Sequence, residues 1–400
     1  MTIKIKWFFF SLLISTFIRA QTPNDIRPEN KVITTGAERT DQYFPLLKGE
    51  KIAVVANHTS LIGKVHLVDS LIHAGVQVVK IFSPEHGLRG TEDAGTGVLN
   101  SVDAGTGLPV ISLYGKNEKI NPRELKNIDL VLFDLQDVGV RFFTYISTLH
   151  YVMEACAENR KPLIVLDRPN PNGFYVDGPV LEDKFRSFVG LHPVPIVYGM
   201  TIGEYAGMIN AEQWLKNKVK CDLRVVTLVN YNHNDRYVLP VKPSPNLPDM
   251  SAVYLYPSLC LFEGTAISVG RGTSKPFQLF GHPDLPETGF SFTPASIIGA
   301  CLNPPFKGVL CKGYDVSDFG LNVISCSDRL YLFWLTGTYR LFRAKEKFFN
   351  DYFDKLAGTS SLREQIVKGV SEDDIHKSWE EGVKKFKIIR KKYLLYPDFE

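Results

Sequence analysis

Residues 81–90 read IFSPEHGLRG. An apolar run stops at Ser83-Pro84, and an acid and an imidazole, Glu85 and His86, follow at once in a loop that holds Gly87 and Gly90. A carboxyl group at the end of a buried strand is the kind of group that can hold and deliver a proton, because partial loss of water favours its neutral form. The simpler alternative is a carboxylate that caps backbone amides of a turn. His86 either orients its neighbour or satisfies a structural hydrogen bond.

The same texture recurs where other apolar runs end. Asn57-His58-Thr59-Ser60, Tyr114-Gly115-Lys116, the stretch Gln136 to Arg141, and Asp167-Arg168-Pro169-Asn170 each follow one. Turns account for glycine, proline and asparagine. They do not need His, Glu, Gln, Asp and Arg at five successive ends. Asp137 either faces a substrate as a second catalytic group or pairs with Arg141. Later, LFEGTAISVGRGTSKPFQLFGHP (261–283) offers Glu263, Arg271, Gln278 and His282 between glycines that allow backbone to approach a ligand. Glu92 and Asp93 read as loop surface.

Several chemistries are excluded by what the motifs lack. No G-x-G-x-x-G follows the first strand and no G-x-x-x-x-G-K-[ST] occurs, which argues against dinucleotide and triphosphate binding. No G-x-S-x-G elbow supports a serine triad. His58, His86, Glu85 and His282 lack metal-ligand spacing, so no metal and no cofactor is expected. Carboxylates, amides, a few cations and many aromatics suit a sugar. Glycoside hydrolysis asks one carboxyl group to protonate the leaving oxygen and a second group to stabilise the oxocarbenium-like centre or activate water. Should no second carboxylate stand near Glu85, assistance from a 2-acetamido group becomes attractive.

The elements that must position these residues alternate regularly. KIAVVAN (51–57), VQVVKIF (76–82), LPVISLY (108–114), DLVLFDLQ (129–136), KPLIVLDRP (161–169) and CDLRVVTLV (221–229) read as strands. HLVDSLIHAG (66–75), NPRELKNI (121–128), TYISTLHYVMEACAEN (144–159) and TIGEYAGMINAEQWL (201–215) read as helices. Near-continuous apolar strands alternating with helices predict a doubly wound, mostly parallel α/β sheet, with ligands outside the carboxyl ends of its strands. The alternation stops near residue 235. The expected organisation is a segment 1–20, an α/β domain over 21–235 and a smaller α+β domain over 236–400. SDRLYLFWLTGTYRLFRAKEKFFNDYFDKLAG (327–358) reads as helical, and an amphipathic helix starts near Ser371.

The first 20 residues carry Lys4 and Lys6, an apolar run from Trp7 to Ile14, and Ala20. They read as a secretory signal peptide, too short in its apolar part to span a bilayer. No later run is long enough for a membrane span. Removing the segment takes Lys+Arg from 46 to 43, equal to the 43 Asp+Glu. A neutral chain is a poor partner for nucleic acid. The basic stretch 383–393 reads as a solvated helix face. The six cysteines have no CxxC spacing and read mostly as buried thiols, with Cys301–Cys311 the best-placed candidate bridge.

ERTDQYFPLLKGEKIAVVANHTS, IFSPEHGLRG, VLFDLQDVGVRFFTYISTLHY, PLIVLDRPNPNG, PIVYGMTIGEY, KPSPNLP and LFEGTAISVGRGTSKPFQLFGHP together resemble the NamZ-type exo-β-N-acetylmuramidases, a family long known only as a domain of unknown function. The blocks run from about Glu38 to residue 283, and the likeness continues more weakly to the C-terminus. The resemblance implies a Rossmann-like domain, a smaller C-terminal domain and an active-site cleft between them. It implies release of N-acetylmuramic acid from the non-reducing end of peptidoglycan-derived glycans, with Glu85 carrying the family's catalytic glutamate. The candidate set is then Glu85, His86 and Asp137 for catalysis, and Asn57, His58, Arg141, Tyr145, Arg168, Asn170, Glu263, Arg271 and His282 for substrate. The lactyl carboxylate of a muramic sugar calls for a cation, with Arg141, Arg168 and Arg271 as the choices. Two other readings stay open: a wall-fragment binding protein without turnover, and an esterase or amidase acting on the same polymer.

Overall fold

The computed structural model describes residues 32–89 and 100–400. The first 20 residues, read from sequence as a signal peptide, and Glu92 and Asp93 lie outside them. Six parallel strands form the main sheet: β1 (Lys51–Ala56), β2 (Gln77–Ser83), β3 (Pro109–Ser112), β4 (Leu130–Asp134), β5 (Leu163–Leu166) and β6 (Leu223–Val226). Their order is β3-β2-β1-β4-β5-β6, with the short strand Ser101–Val102 antiparallel on the outer edge of β3. The chain winds outward from β1 through β2 and β3, then restarts on the other side at β4. That reversal between β1 and β4 is the crevice where a doubly wound sheet receives its ligands. All of β4 and all but the first residue of β1 are buried, as strands covered on both faces must be.

Helices cover the two faces. They include α1 (Thr40–Leu47), α2 (Leu67–His73), α3 (Tyr145–Glu158), α4 (Ile202–Ala211) and α5 (Met250–Leu259). Local chemistry sets several of their starts. Thr201 and Glu204 form a reciprocal capping box at α4, and the Asp249 side chain accepts from the Ala252 amide at α5. The segment 121–128, read from sequence as a helix, forms only a short 3-10 turn, Pro122–Leu125.

The C-terminal part adds an antiparallel sheet of β7 (Leu279–His282), β8 (Ser291–Phe292) and β9 (Cys311–Asp315), in the order β7-β9-β8. Where 327–358 promised continuous helix, the structure has Phe333–Leu341, a turn at Lys345–Lys347, and α6 (Phe353–Ala357). The break has a packing cause. Phe342, Phe348 and Phe353 are all buried, and Phe348 meets Phe342 and Phe349 edge-on, which the single face of one straight helix would not allow. The amphipathic end is α7 (Glu372–Arg390), capped by Ser371. Its basic face is solvated, with Lys384 and Lys385 near Glu380 and Glu381 one turn earlier. One hydrophobic cluster runs from β1 and β4 through α3 and α5 to Trp379, Val383 and Phe386 of α7. No disulfide joins Cys301 to Cys311, and Cys156, Cys221, Cys260 and Cys311 are buried. Among the described residues no helix is long and apolar enough to cross a membrane.

Candidate active site

A small cavity of about 50 Å³ opens beyond the carboxyl ends of the parallel strands. The loop after β2 gives it Glu85 and His86, and the start of α3 gives Phe142, Phe143, Thr144 and Tyr145. The proline-rich KPSPNLP stretch gives Ser244, Asn246 and Leu247, and the C-terminal part gives Tyr256, Arg271 and Phe277.

Glu85 is half-buried and held by hydroxyls from two elements. Thr144 Oγ1 donates to its Oε2 at 3.3 Å, and the Tyr114 hydroxyl at the end of β3 hydrogen-bonds to it. Burial and the nearby Glu85 charge both drive the Tyr114 hydroxyl well above its ordinary range, so Tyr114 keeps its proton and acts as a donor. His86 is buried and adopts φ 72°, a left-handed backbone that a non-glycine residue rarely takes. Gly87 follows with φ 73°. These two residues turn the chain sharply, so that Glu85 faces the cavity while His86 Nε2 lies 3.2 Å from Ser244 Oγ. That contact ties the loop of β2 to the KPSPNLP stretch.

Tyr145 is fixed from behind. Asn57 Nδ2 donates to its hydroxyl at 2.8 Å, and the hydroxyl reaches the Pro243 carbonyl at 3.4 Å. Asn57 is fully buried and supports the wall without lining it. His58 stands further round, with Nε2 on the Lys242 carbonyl at 2.8 Å; burial lowers its pKa.

Arg271 is the cation of the cavity. Its Nε lies 2.5 Å from Glu263 Oε1, and its guanidinium stands over the Phe277 ring. Burial works against its charge, but the Glu263 carboxylate outweighs that and holds the pKa above the usual arginine value. Nη1 of Arg271 and Oδ1 of Asn246 have no hydrogen-bond partner among the described residues. Two polar atoms on residues of one cavity wall, buried and unmatched, are what a polar ligand would satisfy.

Other sequence candidates take different places. Asp137 does not line the cavity: it is buried, receives hydrogen bonds from the Tyr198 hydroxyl and the Gly139 amide, and is pushed up to about 6 by burial. Arg141 is no partner for Asp137. Its guanidinium donates to the carbonyls of Pro179, Val194, Leu356 and Ala357 at 2.7–3.0 Å and is wholly buried. Burial lowers its pKa to about 9, which still leaves it charged at neutral pH. Arg168 forms a buried pair with Asp134, at 2.5 and 2.8 Å, and reaches the Leu61 carbonyl. Asn170 packs over Gly139, where any Cβ would strike it at 2.2 Å, and donates to the Met200 carbonyl. His282 sits at the end of β7 between Phe306 and Phe342. Glu263 reaches the site only through Arg271.

Sequence reasoning did not assign roles to Tyr114, Thr144, Ser244 or Asn246. Tyr114 carried a signal, since it closes a strand as Glu85 nearly does. Ser244 and Asn246 lay in a proline-rich stretch whose fold back over the strand ends depends on contacts far along the chain. Among the described residues no cluster of His, Cys, Asp and Glu is arranged to hold a metal ion.

The family model described as exo-β-N-acetylmuramidase NamZ, N-terminal, matches residues 52–251, and its C-terminal counterpart matches 254–396. The peptidoglycan β-N-acetylmuramidase NamZ of Bacillus subtilis (strain 168) is 38% identical, the match covering 97% of each chain. Crystal structures of two DUF1343-family proteins from Bacteroides fragilis share the architecture. The first has a TM-score of 0.85 at 46% identity, covering 92% of this chain and 99% of that one. The second has a TM-score of 0.78 at 31% identity, covering 92% and 100%. With both halves matched and a relative this similar over nearly its full length, the chain belongs to the NamZ family of exo-β-N-acetylmuramidases.

Proposed function

We propose that the chain is an exo-acting glycosidase that releases N-acetylmuramic acid from the non-reducing end of peptidoglycan fragments, as in cell-wall turnover. The observation that carries this reading is a half-buried glutamate and an arginine with an unmatched donor lining one small cavity. Glu85 protonates the glycosidic oxygen as the bond to the leaving sugar breaks. Thr144 and Tyr114 fix the orientation of its carboxyl group. Arg271 Nη1 receives the lactyl carboxylate that distinguishes a muramic from a glucosamine sugar, a charge-assisted bond of the strong kind. Phe142, Phe143, Tyr256 and Phe277 supply apolar wall and keep water from the site.

Export belongs to the same reading. Its support is the Lys4 and Lys6 pair, the apolar run and Ala20 at the start of the chain, which suit a periplasmic or secreted enzyme meeting a wall polymer.

The test is release of free sugar from a chromogenic β-N-acetylmuramide, with the N-acetylglucosaminide as control. Wild type releases N-acetylmuramic acid, and on a natural muramyl disaccharide, whose leaving sugar needs a proton, Glu85→Gln lowers kcat by about a thousandfold or more. Full release from that disaccharide by the Gln variant removes Glu85 from the chemistry. Folded wild type that binds the sugar without releasing it favours the binding-protein reading, and cleavage without a new reducing end favours the esterase or amidase.

A further inference from the structure

Beyond Glu85 the wall of the cavity continues as a run of aromatic rings. Tyr114, hydrogen-bonded to Glu85, meets the Phe188 ring edge-on at 5.8 Å. Phe188 in turn lies nearly parallel to Tyr151, at 8° and 6.3 Å between centroids. All three rings are only partly buried. Phe188 is held rigidly, because Ser187 and Gly190 pair their backbones in both directions at 3.0 and 2.9 Å and set Phe188 at the tip of a tight turn. Tyr151 comes from α3, the helix whose first turn lines the cavity, and stands at the edge of an open groove with Lys116, Asn117 and Glu118. Rings from three separate segments thus line up from the proton donor into a polar-rimmed groove. The acid must sit at the glycosidic oxygen, and from that point the run of rings leads away from the cavity toward the Lys116–Glu118 groove. A pyranose ring offers an apolar C–H face that packs on aromatic rings while its hydroxyls reach a polar rim.

We propose that Tyr114, Phe188 and Tyr151 form the platform for the sugars on the leaving-group side of the bond, carrying the glycan from the catalytic cavity into the Lys116–Glu118 groove. The proposal rests on the glycosidase reading above. It makes the enzyme a reader of glycan length and not only of the terminal muramic unit.

The test compares a peptidoglycan-derived tetrasaccharide, muramic at its non-reducing end, with methyl β-N-acetylmuramide, whose aglycone is too small to reach the rings. Phe188→Ala and Tyr151→Ala each raise KM for the tetrasaccharide about tenfold more than for the methyl glycoside, the loss of one packing face. Phe188→Leu keeps the apolar bulk and the fold, removes the flat ring, and gives the same selective rise. Equal changes on both substrates, or no change on the tetrasaccharide, overturn the proposal. Where wild type releases sugar from neither substrate, it is the glycosidase reading that fails. Calorimetric binding of the tetrasaccharide then decides the platform: weakening by Phe188→Leu supports it and unchanged binding overturns it.

Discussion

Three arginines stand at or near the ends of the parallel strands, and their acceptors separate them. Arg168 is matched by Asp134. Arg141 gives four bonds to backbone carbonyls and leaves its Nε unmatched away from the cavity. Only Arg271 of the three lines the cavity, and its Nη1 is unmatched among the described residues. The sequence names all three as possible anion binders and cannot rank them. Two of the acceptors of Arg141, Leu356 and Ala357, lie 215 and 216 residues away, and no local spacing reveals that. Glu85 was legible because its loop has a recognisable local grammar: apolar strand, proline, acid, glycine. Asp137 shares that grammar except for the proline and sits behind the wall, its carboxylate held by the Gly139 amide. At this scale the prediction concerns specificity. Arg271→Ala weakens competitive inhibition by free N-acetylmuramic acid by about ten- to a hundredfold, the worth of a charged hydrogen bond, and leaves inhibition by N-acetylglucosamine nearly unchanged. Equal weakening for both sugars would assign Arg271 to the fold instead of to the lactyl group.

Among the elements, the parallel strands were the most legible part of the chain. A strand covered on both faces must be apolar throughout, and four to seven such residues between turn signals leave few alternatives. The C-terminal helices were less so, because their aromatic residues pack in several directions and interrupt the helical period. Arg141 is where the two halves are fastened. It reaches from the loop before α3 to the last carbonyls of α6, where the negative end of the helix dipole welcomes a cation. Gly358 just beyond has φ 77° and lies so close that an added Cβ would stand 2.5 Å from the guanidinium. Arg141→Ala strands four buried carbonyls and is expected to destabilise the protein by about 3 kcal/mol or more. A urea titration checks this, and kcat per folded molecule should change only a few-fold. A small shift in midpoint with a large loss of kcat would return Arg141 to the active site.

Taken whole, the molecule has two parts by sequence pattern, and its largest apolar cluster runs through both. Residues 33–400 form a single compact unit. Its C-terminal end is stitched back onto the α/β part. Trp379 donates to Asp177, Arg390 to the Gly199 carbonyl, the Tyr396 hydroxyl to Asp167 and the Leu395 amide to Glu204. Asp167 and Glu204 stand at the end of β5 and the start of α4, so the last residues of the chain are bound to the carboxyl end of the main sheet. Removal of 371–400 should therefore abolish folding of the entire chain rather than release a stable α/β fragment. Circular dichroism and urea unfolding decide the matter: the full chain gives one transition, and the truncated chain gives none. A cooperative transition in the truncated protein would show that the α/β part folds by itself.

The left-handed backbone of His86 also bears on how this enzyme would respond to selection in the laboratory. A side chain held at φ 72° costs about 1 kcal/mol that glycine would not pay. A screen for heat tolerance alone would therefore be expected to enrich His86→Gly, raising Tm while severing the tie to Ser244 and leaving Glu85 on a looser hinge. Survivors that run hotter should turn over more slowly, and sequencing them beside their rates would reveal which of the two pressures placed an imidazole there.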